Sequence, residues 1–209
     1  MAQFFTIHPG NPQPRLIKQA ADMLRNGAVI VYPTDSGYAL GCRLDDKDAV
    51  TRIRQIRGLD EKHLMTLMCR DLSELAHYAR VSNAQFRLLK NNTPGSYTFI
   101  LEATKEVPRR LQHPKRATVG LRIPDHPVAL ALLEELGGPL LSSTLILPEA
   151  HQPLTDVDEI RERLERAVEL VIEGGSVGIE RTTVIDLTDA VPVLVRQGRG
   201  EVSHLGIEE

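Results

Sequence analysis

Apolar residues along this chain change period several times, and each change marks an element. Over residues 13–26, Leu16, Ile17, Ala20 and Leu24 recur at helical spacing, with Pro14 tolerated in the first turn and Gly27 as the stop. Over 28–32 the run is unbroken, Ala28-Val29-Ile30-Val31-Tyr32, which predicts a strand buried on both faces. A short strand at 4–8 precedes them, and 39–43 reads as a neighbouring strand. Asp46 caps a second helix whose inner face is Val50, Ile53 and Ile56, ending at Gly58. Ser82-x-x-Gln85 is a capping box that opens a short helix toward Asn91. Another helix follows 124–126 and turns Ala129, Leu132, Leu133 and Leu136 inward. A last helix, capped by Asp156, carries Ile160, Leu164, Ala167 and Val171 on its inner face. Further strands are expected at 64–69, 97–102, 118–123, 140–144, 183–187 and 193–196, with a turn at 91–95 and a loop at 148–155. Strands and helices thus alternate, with a few strand pairs lacking a helix between them. That pattern predicts an α/β fold with a mixed sheet, as one domain over 1–209.

Composition narrows the function classes. The 209 residues are 42% hydrophobic and 25% charged, ordinary for a soluble globular chain. Aromatics are 4% and Trp is absent, so the core must be aliphatic and a base-stacking platform is disfavoured. Net charge is −3, so any nucleic-acid binding needs a local basic face. Cys42 and Cys69 lie far apart with no C-x-x-C, which argues against a disulfide framework or thiolate metal site. The seven histidines include no i, i+4 pair, and no metal site is expected. No basic leader or membrane-length apolar run appears, so a cytoplasmic location is expected.

Candidate chemistry gathers at strand ends. Segment 32–42 carries Pro33, the polar triplet Thr34-Asp35-Ser36 and two glycines, Gly37 and Gly41, which let backbone approach a ligand. Small-molecule sites in open α/β sheets form at such ends. Other polar clusters are Thr118 through Arg122, Ser142-Ser143-Thr144, Thr182-Thr183 and Arg196. Hydroxyls can donate to phosphate oxygens and guanidinium groups can grip them with paired bonds. There is no Walker A loop and no G-x-G-x-x-G opening a helix, so a nucleotide needs another cradle. Gly174-Gly175-Ser176-Val177-Gly178 fits G-x-S-x-G, with Asp186 and His204 following in hydrolase order. That elbow must join a strand to a helix, and the next segment is β-like, so a glycine-rich turn is the better account. His126, beside Pro124 and Pro127, is the histidine to watch.

Taken together, these segments resemble the YrdC-like family. Segment 32–41 is similar to its Pro-Thr-Glu-Thr-x-Tyr-Gly-Leu-Gly signature, and Thr93-Pro94-Gly95-Ser96-Tyr97-Thr98 to its Pro-Gly-Pro-x-Thr turn. Thr118-Val119-Gly120-Leu121-Arg122-Ile123-Pro124 with His126-Pro127 resembles Thr-x-Gly-x-Arg-x-Pro-x-His-Pro. Thr182 through Leu187 resembles Ser-Thr-Val-x-Asp-Leu, and Arg196-Gln197-Gly198 the closing Arg-x-Gly. The order holds over nearly the whole chain, and the YciO branch is the most similar. The resemblance implies a twisted mixed sheet with flanking helices and a basic concave face. It also implies synthesis of L-threonylcarbamoyladenylate and pyrophosphate from threonine, bicarbonate and ATP for tRNA modification, with Mg²⁺ brought by the nucleotide.

By that resemblance Thr34, Arg122, Ser142 and Thr182 would contact the threonine or carbamate, and Arg57, Lys62, Thr118, Thr144 and Arg196 the nucleotide. No side-chain nucleophile or base is assigned. Two departures stand out. The family's Lys-x-Arg appears as Arg57-Gly58-Leu59, with Lys62 as the substitute if its loop bends inward, and the family's Ser-Thr-Ser-Ala-Asn ends here in Ile146. Alternative readings are a double-stranded RNA-binding paralogue with little synthase activity, or a hydrolase of a related carbamoyl or adenylate compound. For the RNA reading the densest cations are Arg109, Arg110, Lys115 and Arg116.

Overall fold

The computed structural model describes residues 1–207. The strands are β1 (Gln3–Thr6), β2 (Ile30–Thr34), β3 (Gly37–Arg43), β4 (Thr66–Met68), β5 (Tyr97–Glu102), β6 (Thr118–Arg122), β7 (Leu140–Thr144), β8 (Leu170–Glu173), β9 (Thr183–Asp186) and β10 (Val193–Arg196). The helices are α1 (Pro14–Arg25), α2 (Lys47–Arg57), α3 (Leu72–Tyr78), α4 (Asn83–Asn92), α5 (Pro127–Leu136) and α6 (Val157–Leu164). All ten strands join one mixed sheet in the order β1-β8-β2-β3-β7-β4-β6-β5-β9-β10. None of the described helices is long and apolar enough to cross a membrane.

Register decides what each face carries. Leu141, Leu67, Leu121, Phe99 and Ile185 lie side by side across β7, β4, β6, β5 and β9. All five belong to the main core, where Val50 and Ile53 of α2, Leu75 of α3, Leu89 of α4 and Ile160 of α6 cover them. The adjacent residue in each strand points the other way. That second row reads Ser142, Thr66, Gly120, Ile100 and Asp186. A one-residue slip would exchange the rows and bury the polar one, so alternation fixes this register. On the second face α1 and α5 pack Ile17, Leu24, Val128 and Leu132 against Ile30, Tyr32, Leu140 and Leu170. That packing reaches Met68 of β4 and ends there. Beyond it the strands present hydroxyls, glycine and arginine to a hollow.

Most predicted elements form where their caps stand. Asp46 accepts from the Ala49 amide at 3.0 Å and Gly58 closes α2 at φ 64°. Ser82 and Gln85 make the reciprocal capping box of α4, and Asp156 accepts from the Glu159 amide at 2.9 Å. Two elements differ from expectation. The helix after Asp156 stops at Leu164, and Val171 lies in β8, paired in parallel with β1 and β2. Ala167 and Val171 keep helical spacing with Leu164, but Leu170, Val171 and Ile172 form a strand buried on both faces, and short apolar runs serve either structure. Helix α3 was not expected. Its seven residues bury only Glu74 and Leu75, too few to show a period, although Asp71 caps it through the Glu74 amide. Cys42 and Cys69 are buried free thiols, and burial pushes Cys42 up to about 12.

Candidate functional site

The uncovered half of the sheet floors a cavity of about 320 Å³. Thr66, Gly120 and Ile100 form the floor in register. A Cβ on Gly120 would stand 3.3 Å from Thr98 Cγ2, so any larger residue would rise into the hollow. The walls come from distant segments: the β2–β3 turn with Thr34 and Ser36, the end of α2 with Arg57, loop residues His63 to Met65, and the approach to β9 with Arg181 and Thr182. Five arginines line it, Arg57, Arg116, Arg122, Arg181 and Arg196, with His63 and His113, and none of the lining residues is Asp or Glu. A walled hollow lined by one sign of charge concentrates ions of the other sign.

Each guanidinium is held differently. The Arg122 side chain is 7% exposed and pairs with Asp35, while its Nη1 donates to Ser36 Oγ at 2.8 Å. Asp35 also accepts from Ser96 Oγ and the Asp125 amide. Burial lowers the Arg122 pKa, and the Asp35 charge opposes that shift. Arg116 pairs with Asp186 at 2.9 Å and with Thr188 Oγ1. Arg57 donates from Nη1 to Ser143 Oγ at 3.1 Å and to the Thr144 carbonyl at 2.6 Å. Arg196 donates to the Thr182 carbonyl from Nε and Nη2, and to Thr182 Oγ1 at 3.2 Å. The Nε atoms of Arg57 and Arg122 are buried without a partner among the described residues. Burial and then the Arg181 charge hold Arg57 and Arg196 below the ordinary arginine value. His63 is lowered first by burial and then by the charge of Arg57.

The hydroxyls are less available. Thr34 Oγ1 donates to the Gly37 carbonyl at 2.6 Å. Ser142 Oγ donates to the Leu40 carbonyl and accepts from Tyr32, whose phenol burial pushes up to about 12. Both residues line the cavity, yet their hydroxyls already brace the turn and the sheet.

A family model for Sua5, YciO and YrdC proteins, described as "Telomere recombination", matches residues 22–198. The chain belongs to the Sua5/YciO/YrdC family. It is 60% identical over 202 residues to the uncharacterized protein YciO of Escherichia coli (strain K12), covering 97% of this chain and 98% of that one. It is 33% identical over 178 residues to a protein of Halorhodospira halophila named threonylcarbamoyl-AMP synthase, covering 85% of this chain and 92% of the relative. The fold matches the crystal structure of E. coli YciO with a TM-score of 0.93 at 60% identity, over 97% of this chain and 98% of that one. It matches Pyrococcus abyssi Sua5 complexed with L-threonine with a TM-score of 0.86 at 28% identity, over 94% of this chain and 58% of that one.

Eight of the residues that the family resemblance singles out come together in this cavity: Thr34, Arg57, Thr118, Arg122, Ser142, Thr144, Thr182 and Arg196. Lys62 does not. It is exposed and outside the lining, in a loop whose Lys62 and His63 amides donate to Asp60 Oδ1. Leu59 also lies outside the lining, whereas Ile146 is inside and 6% exposed. The four cations of the RNA reading are divided. Arg116 lines the cavity, Arg110 donates to the Leu44 carbonyl at 2.7 Å, and Arg109 and Lys115 are exposed elsewhere. His126 caps α5 through Val128 N at 3.2 Å. The glycine-rich segment 174–178 packs on the β2–β3 turn, where Gly178 O would be 3.1 Å from a Cβ on Gly37. Sequence reasoning missed Arg181, His63, His113, Thr66 and Thr98. Arg181 stands directly before the matched Thr182-Thr183 and Thr98 closes the matched segment 93–98, so both places were within reach; His63, His113 and Thr66 carry no motif.

Proposed function

We propose that the cavity holds ATP beside N-carboxylated threonine and forms threonylcarbamoyl-AMP and pyrophosphate, the adenylate then serving tRNA modification. The observation that carries this reading is the lining: five arginines and no carboxylate around one hollow at the sheet's open face. Relatives named threonylcarbamoyl-AMP synthase, and the likeness to a Sua5 that binds L-threonine, support it. Threonine and bicarbonate first give the carbamate and water. A carbamate oxygen then attacks the α-phosphorus, and the bond to the bridging oxygen breaks, so that pyrophosphate leaves with the electron pair. Two anions must be held in line, which positioning and cationic clamping achieve without a side-chain nucleophile.

The wall is polarised in a way that suits this. Arg122 is neutralised by Asp35, so its end suits the amino-acid part, while Arg57 and Arg196 suit the phosphates. With no carboxylate in the lining, the Mg²⁺ would be held by the phosphates and water, where it screens their charge. A duplex-RNA module draws less support, since one of its four cations lines the cavity and another is bound to a carbonyl. The test is pyrophosphate release with mass spectrometry of the adenylate. Release should need threonine, bicarbonate and ATP together. Calorimetry that shows neither ATP nor threonine binding would overturn the reading.

A further inference from the structure

The five arginines of the cavity form two groups. Arg122 faces Asp35 and Arg116 faces Asp186, so two charges are neutralised at the wall. Arg57, Arg181 and Arg196 have no ion-pair partner among the described residues, although all three line the same hollow. They arrive from the end of α2, the approach to β9 and the end of β10. Arg57 is fixed by Ser143 and the Thr144 carbonyl, and Arg196 by Thr182. Arg57 also keeps a buried Nε with no acceptor among the described residues. Arg181 is exposed, but its backbone is clamped. Its carbonyl accepts from Arg199 N at 2.9 Å, and Gly198 packs so closely that a Cβ there would stand 2.3 Å from it. The Arg181 charge acts on both Arg57 and Arg196, so the three are within electrostatic reach. Like charges gathered without a counter-charge repel one another, and a bound polyanion relieves that repulsion through charge-assisted bonds.

We propose that Arg57, Arg181 and Arg196 form a polyphosphate cradle, in which Arg181 supplies the second cation absent after α2. The inference rests on the reading of this cavity as a nucleotide site, and it adds that inorganic polyphosphate binds there without a nucleoside. Three separated guanidinium groups match a chain of phosphates, so tripolyphosphate binds more tightly than pyrophosphate, and pyrophosphate more tightly than phosphate.

Calorimetry on the full chain tests this with those three anions. Arg181→Ala weakens tripolyphosphate binding by about ten- to a hundredfold, the worth of one hydrogen bond to a charged group. Arg181→Lys, which keeps the charge and loses the fork, falls between. Arg87→Ala removes the same charge from an exposed α4 position outside the cavity and leaves binding unchanged. Melting temperature is followed for each, and Arg181 is exposed, so folding is preserved. The proposal is overturned if Arg181→Ala binds tripolyphosphate within about twofold of the parent. It is equally overturned if Arg87→Ala weakens binding as much, or if tripolyphosphate binds no better than phosphate. Arg181-dependent tripolyphosphate binding without threonine-dependent pyrophosphate release would overturn the synthase reading and leave the cradle standing.

Discussion

Asp35→Asn tests the electrostatics of the cavity wall. The Arg122 and Asp35 side chains are 7% and 10% exposed, so their attraction is little screened and their desolvation has already occurred. Asparagine keeps the shape and can still accept from Ser96 or the Asp125 amide, but it leaves Arg122 buried without a counter-charge. Breaking such a pair costs about 3–5 kcal/mol, and the retained hydrogen bonds argue for the lower figure. For a chain of this size about 3 kcal/mol corresponds to a fall in Tm of roughly 6–12 °C. Urea unfolding followed by circular dichroism gives the free energy, and calorimetry gives the Tm. Because the pair is buried, the loss should persist in molar salt. Replacing both partners, Asp35→Leu with Arg122→Met, removes the stranded charge and should recover most of the stability. A loss below about 1 kcal/mol for Asp35→Asn, or a double variant as unstable as the two single losses added together, would refute the reasoning.

Three further outcomes follow from the same geometry. Gly58→Ala should lower the unfolding free energy by at least about 1–2 kcal/mol, the cost of a left-handed residue, since φ is 64° and the new Cβ would meet Pro148 Cγ at 2.9 Å; an unchanged urea midpoint counts against it. Gly120→Val should leave the circular dichroism spectrum intact while weakening ATP and tripolyphosphate binding more than about tenfold, because its side chain rises from the cavity floor toward Thr98. His126 is 8% exposed, and burial lowers its pKa from the ordinary 6.5. The unfolded chain therefore takes up the proton first as pH falls, so its contribution is complete above pH 6.5 and is lost below it. His63 acts in the same direction. His126→Asn, which can still cap α5, should flatten the decline in urea midpoint between about pH 7 and pH 5.5, and an unaltered slope would exclude the histidine.

The fold was legible where local chemistry and periodicity agreed. The unbroken run at 28–32 enters β2 at Ile30, and the strand continues through Pro33 to Thr34, lying between two strands with cores on both faces. Asp46 with Gly58, Ser82 with Gln85, and Asp156 set helix ends through bonds that depend only on nearby residues. Legibility failed where partners were distant. Val171 has helical spacing to Leu164, and only its pairing with β1 and β2 makes it a strand residue. Alternation along β6 placed Thr118, Gly120 and Arg122 on one face, but that this face lacks a covering helix depends on where α1 and α5 stop.

The departures at Leu59 and Ile146 show why a motif is an incomplete measure of a site. In sequence they look like equal losses at the nucleotide end. In the fold they differ: Ile146 lines the cavity, whereas Leu59 lies outside it, with its amide bonded to the Arg54 carbonyl. The cation count at the rim is nevertheless high, because Arg181 and Arg116 arrive from segments that carry no matched cation. A sheet brings residues separated by more than a hundred positions to one edge, so charge there belongs to the rim rather than to any one stretch. A cation lost after α2 can therefore be replaced from the approach to β9 without moving the backbone. What cannot be replaced this way is the pairing of Arg122 with Asp35, since its other contacts, Ser36, Ser96 and the Asp125 amide, fix both partners in one geometry.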